Sequence, residues 1–427
     1  MPSFNLLLVF LVITHLSFCQ QIDKIINKND VERVEKALSS DEMSGRKTFT
    51  PGIEKAAGFI AAEFKAAGLS TWNNSESFRQ EFKLIRPRLV SLSGTADKLP
   101  LSTKNSFVIT TLPVLRVNHS SGFEKAKISA GANLYYEANK YIQSKKNLLV
   151  LVDTGFTKNF AGLSRFRQQI YQSDYTVAFI LTNTDPAEYL IEAVHDITPM
   201  NLANVVGIIP GKTKKNEYVI FSGHYDHLGT GMPINNDSIF NGANDDAAGI
   251  TAVIMLARYF KETANNERTL VFAAFTAEEI GGMGSQYFSR QLDADKAVAM
   301  FNIEMIGTDS KWGKNSAYIT GYEKTDMGKI LEKNLDGTGF SFYPDPYPQQ
   351  QLFYRSDNAT LARLGVPAHT ISTSKMDAEK FYHTVDDEAE TLDLDNMTMI
   401  IKAIALSART IVNGKDAPSR VDVQQLR

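Results

Sequence analysis

Short apolar runs that end in acidic or histidine residues recur along the second half of the chain. One run, residues 218–221 (YVIF), has the length of a buried strand and is bounded by Gly223. Residue types that bind metals come next, namely His224, Asp226 and His227. Three later apolar segments end in the same way: residues 270–275 before Glu278 and Glu279, residues 298–303 before Glu304, and residues 381–382 before His383. This pattern predicts several strands whose carboxyl ends carry ligand-type side chains.

A loop rich in Gly, Asn and Asp follows the first of these strands and ends at Asn244, Asp245 and Asp246. A single His is usually a hydrogen-bonded structural residue, and an Asp before a helix is often an N-cap. Ligands bind at the carboxyl ends of strands in open α/β sheets, however, so side chains delivered there from four segments lie close together. Histidines and carboxylates form a nitrogen and oxygen ligand set that zinc accepts. The sequence therefore predicts a metal site at this edge of the sheet.

Helix signals flank the predicted strands. Residues 30–40 and 52–67 are predicted helices, the first with Asp30 as its N-cap and the second stopped by Gly68. A third predicted helix, residues 247–261, is apolar on nearly every side, which is typical of a helix that covers a parallel sheet. The predicted fold class is α/β, with a mixed, mostly parallel sheet flanked by helices.

Five short motifs together resemble the M28 family of zinc peptidases, and in particular its aminopeptidase group, which uses two co-catalytic zinc ions. The motifs are His224-Tyr225-Asp226, residues 242–246 (GANDD), Glu278-Glu279, residues 302–307 (NIEMIG) and residues 382–384 (YHT). The resemblance covers about residues 204–406, with a weaker match at Gly45, Arg46 and the helix after Pro51. It implies a zinc-exopeptidase-like fold and hydrolysis of N-terminal residues from peptides.

The resemblance also implies which residues hold the metal. Asp245 would bridge two zinc ions. His224 and Glu304 would complete the shell of one ion, and Glu279 and His383 the shell of the other. The expected cofactor is therefore two Zn²⁺ ions per chain.

Three further residues receive catalytic roles from the resemblance. Glu278 would be the general base that acts on a zinc-bridged water and passes the proton to the leaving amine. Asp226 would orient a ligand histidine from behind. Tyr382 is either a donor to the tetrahedral oxyanion or part of the pocket wall.

Two departures from the family pattern leave alternatives open. Glu304 stands where aminopeptidases of this family usually carry Asp, and related co-catalytic carboxypeptidases can use Glu there. Residues 355–358 (RSDN) resemble a stretch that usually ends in His, and they either line the substrate pocket or cap a helix. The alternatives are a carboxypeptidase or dipeptidase, a single-zinc glutaminyl cyclase-like acyltransferase, and an inactive receptor-like member. The filled two-metal ligand set counts against the last two.

The remaining histidines are interpreted as structural. His119 and His195 are isolated, and His369 lies in an apolar run and is expected in the core. His227 lies near the predicted metals; five other residues already fill the expected shells, and a direct role for His227 is the less favoured alternative.

Residues 84–203 differ in character from the rest of the chain. This segment contains short apolar runs at 107–109, 148–152 and 177–181 and a helix-like stretch at 161–171. The pattern predicts a β-α-β unit in a smaller inserted α+β domain. This domain is similar to the lid-like, protease-associated insertions of some M28 members; the alternative is an elaboration of the main sheet. The other predicted segments are a signal peptide (1–19), the N-terminal part of the catalytic domain (20–83), the zinc peptidase domain (204–414) and a polar tail (415–427).

The first residues and the overall composition bear on location and partners. Residues 6–13 form the apolar core of a predicted secretory signal peptide, which predicts a secreted or periplasmic protein. Cleavage before Gln20 is favoured over a lipoprotein anchor at Cys19, because Phe18 occupies a place where a lipobox has a small residue. A net charge of -3 favours neither nucleic-acid nor membrane-surface binding, and no later apolar run is long enough to span a bilayer. Peptides are the expected partners.

Overall fold

The computed structural model describes residues 21–426, and the predicted signal peptide, residues 1–19, lies outside them. The described residues form two compact units. The main unit contains residues 21–81 and 202–426, and the inserted unit is Phe82–Asn201. The inserted unit therefore begins and ends two residues before the predicted insert of residues 84–203.

Strands occur in both units. In chain order the described strands are β1 (Ser70–Thr71), β2 (Arg79–Ala96), β3 (Leu99–Leu101), β4 (Ser106–Ile109), β5 (Val114–Asn118), β6 (Glu124–Ile128), β7 (Leu148–Val152), β8 (Ile170–Tyr171), β9 (Val177–Leu181), β10 (Tyr189–Ile209), β11 (Lys214–His224), β12 (Gly229–Ile234), β13 (Asp237–Phe240), β14 (Arg268–Phe275), β15 (Ala297–Ile303), β16 (Ser316–Ile319), β17 (Ser341–Pro344) and β18 (Ala368–Ser372).

Helices are concentrated in the main unit. The described α-helices are α1 (Lys28–Leu38), α2 (Pro51–Ala66), α3 (Leu134–Ile142), α4 (Ala248–Thr263), α5 (Met283–Gln291), α6 (Met327–Leu335), α7 (Asn358–Ala362), α8 (Leu394–Ser407) and α9 (Arg409–Val412). Among residues 21–426, no helix has the length and apolar character needed to cross a membrane.

The main unit is built on a mixed sheet of strand order β17-β16-β18-β15-β11-β14-β10. The four central strands, β18, β15, β11 and β14, run parallel to one another. The strands on either side are antiparallel to them: β16 pairs with β18, and β10 pairs with β14. All eight residues of β14 are buried, as expected for a strand covered on both faces. The predicted α/β fold with a mostly parallel sheet flanked by helices is confirmed.

Aromatic packing holds helix α4 on this sheet. The Phe221 ring on β11 stacks on Phe260 of α4 with centroids 5.2 Å apart, and on Phe272 and Phe301 of the neighbouring strands at 5.5 and 4.9 Å. All four rings are fully buried. The contact fixes α4 over the strands whose ends carry the predicted ligands.

The N-cap of α1 differs from the prediction. Asn27, with extended backbone angles, caps the helix by accepting from the backbone N–H of Asp30 at 3.1 Å. Asp30 is the third helical residue, and its carboxylate accepts from the Asn27 side-chain amide at 2.8 Å. The prediction of Asp30 as the cap was wrong because the two side chains form a reciprocal capping pair that places the cap three residues earlier, at Asn27.

The inserted unit has its own sheet of order β4-β9-β7-β6, in which β6, β7 and β9 are parallel. The predicted helix at residues 161–171 is wrong in its second part. The helical turns are of 3-10 type and span Phe160–Arg167, while Ile170 and Tyr171 pair with Ile85 and Leu84 as strand β8. The strand pairing of these β-favouring residues prevails over the local helical pattern.

The C-terminal segment is partly packed on the main unit. Val421 is buried, and the Arg420 guanidinium donates to the carbonyl oxygens of Ala297 and Leu364. The predicted polar tail, residues 415–427, therefore includes residues that contact the main sheet domain.

Candidate metal centre

Adjacent strands of the main sheet bring three of the predicted ligands together. His224 is the last residue of β11, Glu279 follows β14, and Glu304 follows directly after β15. Since β11 pairs in parallel with both β14 and β15, these strands end at the same edge of the sheet. The ligand-type side chains therefore converge at the carboxyl ends of the strands.

Two predicted ligands come from loops. Asp245 lies in the irregular turn Ala243–Ala247 before α4, and its peptide bond to Asp246 is cis. His383 lies in a turn after β18, with a φ of 58°. The expected strand at residues 381–382 is absent from the described structure, because these residues belong to that turn.

The side chains form two ligand groups that share Asp245. The first ligand group is His224, Asp245 and Glu304, and the second ligand group is His227, Asp245, Glu279 and His383. Within each group, the candidate ligand atoms all lie within 4.8 Å of one another.

Asp245 faces both groups with different oxygens. Its Oδ1 lies 3.2 Å from His224 Nε2, and its Oδ2 lies 3.2 Å from His383 Nε2. Glu279 Oε1 lies 3.3 Å from the same His383 nitrogen. A carboxylate that presents one oxygen to each of two ligand groups has the arrangement required to bridge two cations.

Unpaired polar atoms show that these residues fit a metal. Buried and without a hydrogen-bond partner are His224 Nε2, His227 Nδ1, Glu279 Oε1 and Glu304 Oε2. Each such atom costs free energy when it is desolvated and unpaired. A divalent cation with nitrogen and oxygen ligands would satisfy them, and zinc accepts this donor set.

Residues 204–408 match the family model described as "Peptidase family M28". This part of the chain belongs to peptidase family M28. A relative from Chaetomium globosum, "Leucine aminopeptidase 1", is 24% identical over 324 residues, which are 70% of this chain and 77% of that protein. A "Probable leucine aminopeptidase" from Trichophyton verrucosum is 25% identical over 278 residues, which are 60% of this chain and 69% of that protein.

Solved structures show the same fold at low sequence identity. An aminopeptidase from Aneurinibacillus sp. strain AM-1 aligns with a TM-score of 0.54 and 16% identity, covering 95% of this chain and 98% of that chain. A zinc aminopeptidase from Bacillus subtilis aligns with a TM-score of 0.54 and 17% identity, covering 92% of this chain and 97% of that one.

The pKa values of the carboxylates and histidines in the M28 site depend strongly on one another. Burial alone would raise the pKa of Asp245, but the neighbouring His224 and His383 hold that pKa well below its usual range. Burial acts in the same direction on Glu279, yet His227 and His383 lower its pKa to about 2. Asp245 and Glu279 in turn raise the pKa of His383 to about 10. The neighbouring histidines therefore hold these two carboxylates in the ionised form.

Burial dominates at the other two carboxylates of the M28 site. It raises the pKa of Glu278 well above its usual range, with Glu304, Asp357 and Asp226 adding to the effect. It raises the pKa of Glu304 to about 7. The site holds more buried carboxylates than cationic groups to balance them, which is a further reason to expect divalent cations there.

Asp226 organises the M28 site through two different groups. Its carboxylate accepts from the backbone N–H groups of Glu278 and Glu279 at 3.0 and 3.3 Å. Its backbone carbonyl lies 3.0 Å from His224 Nδ1, whereas its carboxylate oxygen lies 3.9 Å from that nitrogen. The carbonyl therefore orients the His224 ring, and the carboxylate fixes the turn that carries the glutamate pair.

Asp246 ties three elements of the M28 domain together, a role that the sequence did not reveal. Its carboxylate accepts from the backbone N–H groups of His224, Gly249 and Met305 at 3.0 to 3.1 Å. A Cβ at Gly249 would lie 2.4 Å from this carboxylate and 2.2 Å from the Ile303 carbonyl oxygen. Glycine at this position is required for the close approach of α4 to the end of β15.

Asp387 and Arg46 support the Asp245 loop, and sequence reasoning missed both roles. The Asp387 carboxylate accepts from the backbone N–H groups of Asn244 and Asp245 at 2.8 and 3.1 Å. The fully buried Arg46 donates to the carbonyl oxygens of Gly242 and Tyr225 at 2.8 and 2.9 Å. Only the weak match at Gly45 and Arg46 pointed to this region in the sequence.

A cleft opens over the two ligand groups. Glu278, Tyr382, Arg355 and Ser356 line it. Its other walls are mainly apolar or hydroxyl-bearing and include Met305, Tyr318, Leu352, Met376, Thr320, Thr370 and Ser372. The Tyr382 ring stacks on His383 with centroids 3.9 Å apart, and burial raises the pKa of its phenol, which therefore stays protonated.

Of the other histidines among residues 21–426, one lies in a ligand group and three lie outside both. His369 is buried in β18 and bonded to Thr325 and Thr320, as expected of a core residue. His195 is buried in the inserted unit, and His119 is exposed there. His227, which the sequence left outside the metal shells, belongs to the second ligand group. Its position three residues after His224 was the only sequence signal.

Proposed function

We propose that this M28 chain is an aminopeptidase that uses two zinc ions to remove N-terminal residues from peptides. The proposal rests on the geometry of Asp245, whose two oxygens face separate ligand groups. His224 and Glu304 hold one ion, and Glu279 and His383 hold the other. The leucine aminopeptidase relative and the zinc aminopeptidase of similar fold support the same activity.

Bound zinc supplies a Lewis acid and a water molecule of lowered pKa. Glu278 takes the water's proton on its carboxylate and passes it to the leaving amine. Tyr382, whose phenol stays protonated, donates a hydrogen bond to the developing oxyanion from the cleft wall.

The charge of the cleft favours a substrate with a free amine. Four carboxylates line the cleft, those of Asp245, Glu278, Glu279 and Glu304. Three of them belong to the ligand groups, and the Glu278 carboxylate remains to attract a protonated α-amine. Arg355 adds a positive charge to the same cleft, because its exposed side chain lines the cleft wall. This residue favours a second candidate, a carboxypeptidase or dipeptidase that holds a free C-terminal carboxylate.

Blocked peptides separate the two candidates. One peptide is compared in three forms, with both ends free, with an acetylated N-terminus and with an amidated C-terminus. The aminopeptidase proposal expects acetylation to abolish cleavage and amidation to leave it nearly unchanged, and the Arg355→Ala variant to keep this pattern. Cleavage of the acetylated peptide, with loss on amidation and in Arg355→Ala, would instead establish the carboxypeptidase.

We also propose that residues 1–19 act as a secretory signal peptide, so that the mature protein is secreted or periplasmic. The apolar core at residues 6–13 supports this, and N-terminal sequencing of the exported protein should find Gln20 first.

A further inference from the structure

We propose that His227 is a sixth protein ligand, so that the two zinc ions are held unequally. The second ligand group then binds its ion through four residues, His227, Asp245, Glu279 and His383, and the first binds through three. This inference rests on the two-zinc proposal above and adds a residue that the family resemblance does not assign.

The position of the His227 ring carries the inference. Its Nδ1 lies 2.9 Å from Glu279 Oε1 and 3.8 Å from Asp245 Oδ2. The side chain is fully buried, and both ring nitrogens lack a hydrogen-bond partner. At this distance the two atoms do not form a well-aligned hydrogen bond, and Oε1 likewise lacks a partner. Two buried electron-pair donors this close together, each without a hydrogen-bond partner, fit a shared cation.

The surroundings of the ring fix its direction. A Cβ at Gly242 would lie 2.6 Å from two carbon atoms of the His227 ring, so this glycine leaves the space that the ring occupies. The backbone N–H of His227 donates to the Arg46 carbonyl oxygen, and its ring meets the His383 ring edge-on with centroids 5.6 Å apart. Packing therefore keeps Nδ1 directed at Glu279 and Asp245.

The number of ligands predicts different properties for the two ions. Zinc sites with four protein ligands are closed and bind tightly, whereas sites with three keep a position open for water or substrate. The ion of the second ligand group is therefore the more tightly held. The first ligand group, with His224, Asp245 and Glu304, keeps the open position.

X-ray absorption of the wild-type protein tests the inference without any substitution. Metal-free protein is given one equivalent of zinc, and the imidazole ligands of the bound ion are counted. The proposal expects two imidazoles, from His227 and His383. A single imidazole on the tightly bound zinc overturns it.

The His227→Asn variant separates a ligand from a hydrogen-bonding neighbour. The Asn side-chain nitrogen takes the place of Nδ1 and can donate to Glu279, but it is a poor zinc ligand. We expect the variant to lose one imidazole from the tight site. Its affinity for that zinc should fall by well over roughly 10- to 100-fold, which is the cost of losing a residue that only hydrogen-bonds to a ligand. The matched control is His195→Asn, since His195 is also buried with two unpaired ring nitrogens but lies outside both ligand groups. The control should bind both ions as wild type does.

The outcomes distinguish this inference from the proposed function. If wild-type protein binds two zinc ions and His227→Asn retains both affinities and the imidazole count, the sixth ligand is refuted and the two-zinc proposal stands. If wild-type protein binds only one ion, both are refuted.

Discussion

Glu278 and Glu279 are neighbours in the chain, yet their side chains are placed for different tasks. Glu279 Oε1 lies 3.3 Å from His383 Nε2 within the second ligand group, whereas Glu278 is in neither group and lines the cleft. The backbone of both residues is held by the Asp226 carboxylate. This fixed turn would let Glu279 bind metal while Glu278 acts on the substrate.

Substitution of Glu278 should therefore affect chemistry and spare the metal. Glu278→Gln keeps the size of the side chain but cannot accept a proton, so we expect kcat to fall by about a hundredfold or more. Zinc content, measured by mass spectrometry of the metal, should equal that of wild type. Loss of zinc together with activity would mean that Glu278 is the metal ligand and Glu279 the base.

At the scale of elements, the end of β15 and the start of α4 approach so closely that Asp246 can bond to both. Gly249→Ala would place a methyl group 2.2 Å from the Ile303 carbonyl oxygen and 2.4 Å from the Asp246 carboxylate. We expect the free energy of unfolding to fall by about 1–3 kcal/mol, the usual cost of overpacking, and zinc affinity to fall with it.

The control for this prediction is Gly58→Ala in α2, where an added Cβ would meet nothing within 4 Å. Alanine should stabilise that helix by about 0.5–1 kcal/mol. Denaturant unfolding of both variants measures the difference. Equal effects at the two glycines would mean that the contact of α4 with β15 is not tightly packed.

The elements also show how far the sequence could predict the site. Strands β11, β14 and β15 could be predicted because each is a continuous apolar run that ends in a ligand-type residue. The roles of His227, Asp246 and Asp387 could not, because each depends on backbone groups or side chains brought close only by folding. His383 was predicted as a ligand from its motif, but its turn resembles a short strand in sequence.

At the scale of the whole molecule, a buried acid links stability to pH. Glu35 of α1 is fully buried; one oxygen accepts from Thr251 of α4 at 2.9 Å, and the other has no hydrogen-bond partner. Burial raises its pKa from 4.5 to about 8, despite the nearby Arg46. The folded protein therefore keeps this proton while the unfolded chain releases it, so stability falls as pH rises from about 4.5 to about 8.

Glu35→Gln should remove this pH dependence, because the amide stays neutral. We expect the Tm of the variant, relative to wild type at the same pH and zinc concentration, to increase between pH 5 and pH 9. Thermal unfolding at both pH values measures the change. A Tm difference that is constant with pH would show that Glu35 is ionised in the folded protein over this range.

Zinc stoichiometry shows directly whether Asp245 bridges two cations, because its two oxygens face separate ligand groups. Metal-free protein is titrated with zinc, and bound metal and cleavage of a peptide with a free N-terminus are measured at each step. Two ions should bind per chain, and activity should require the second equivalent. Full activity with a single bound ion would contradict the account and point to the single-zinc, cyclase-like alternative.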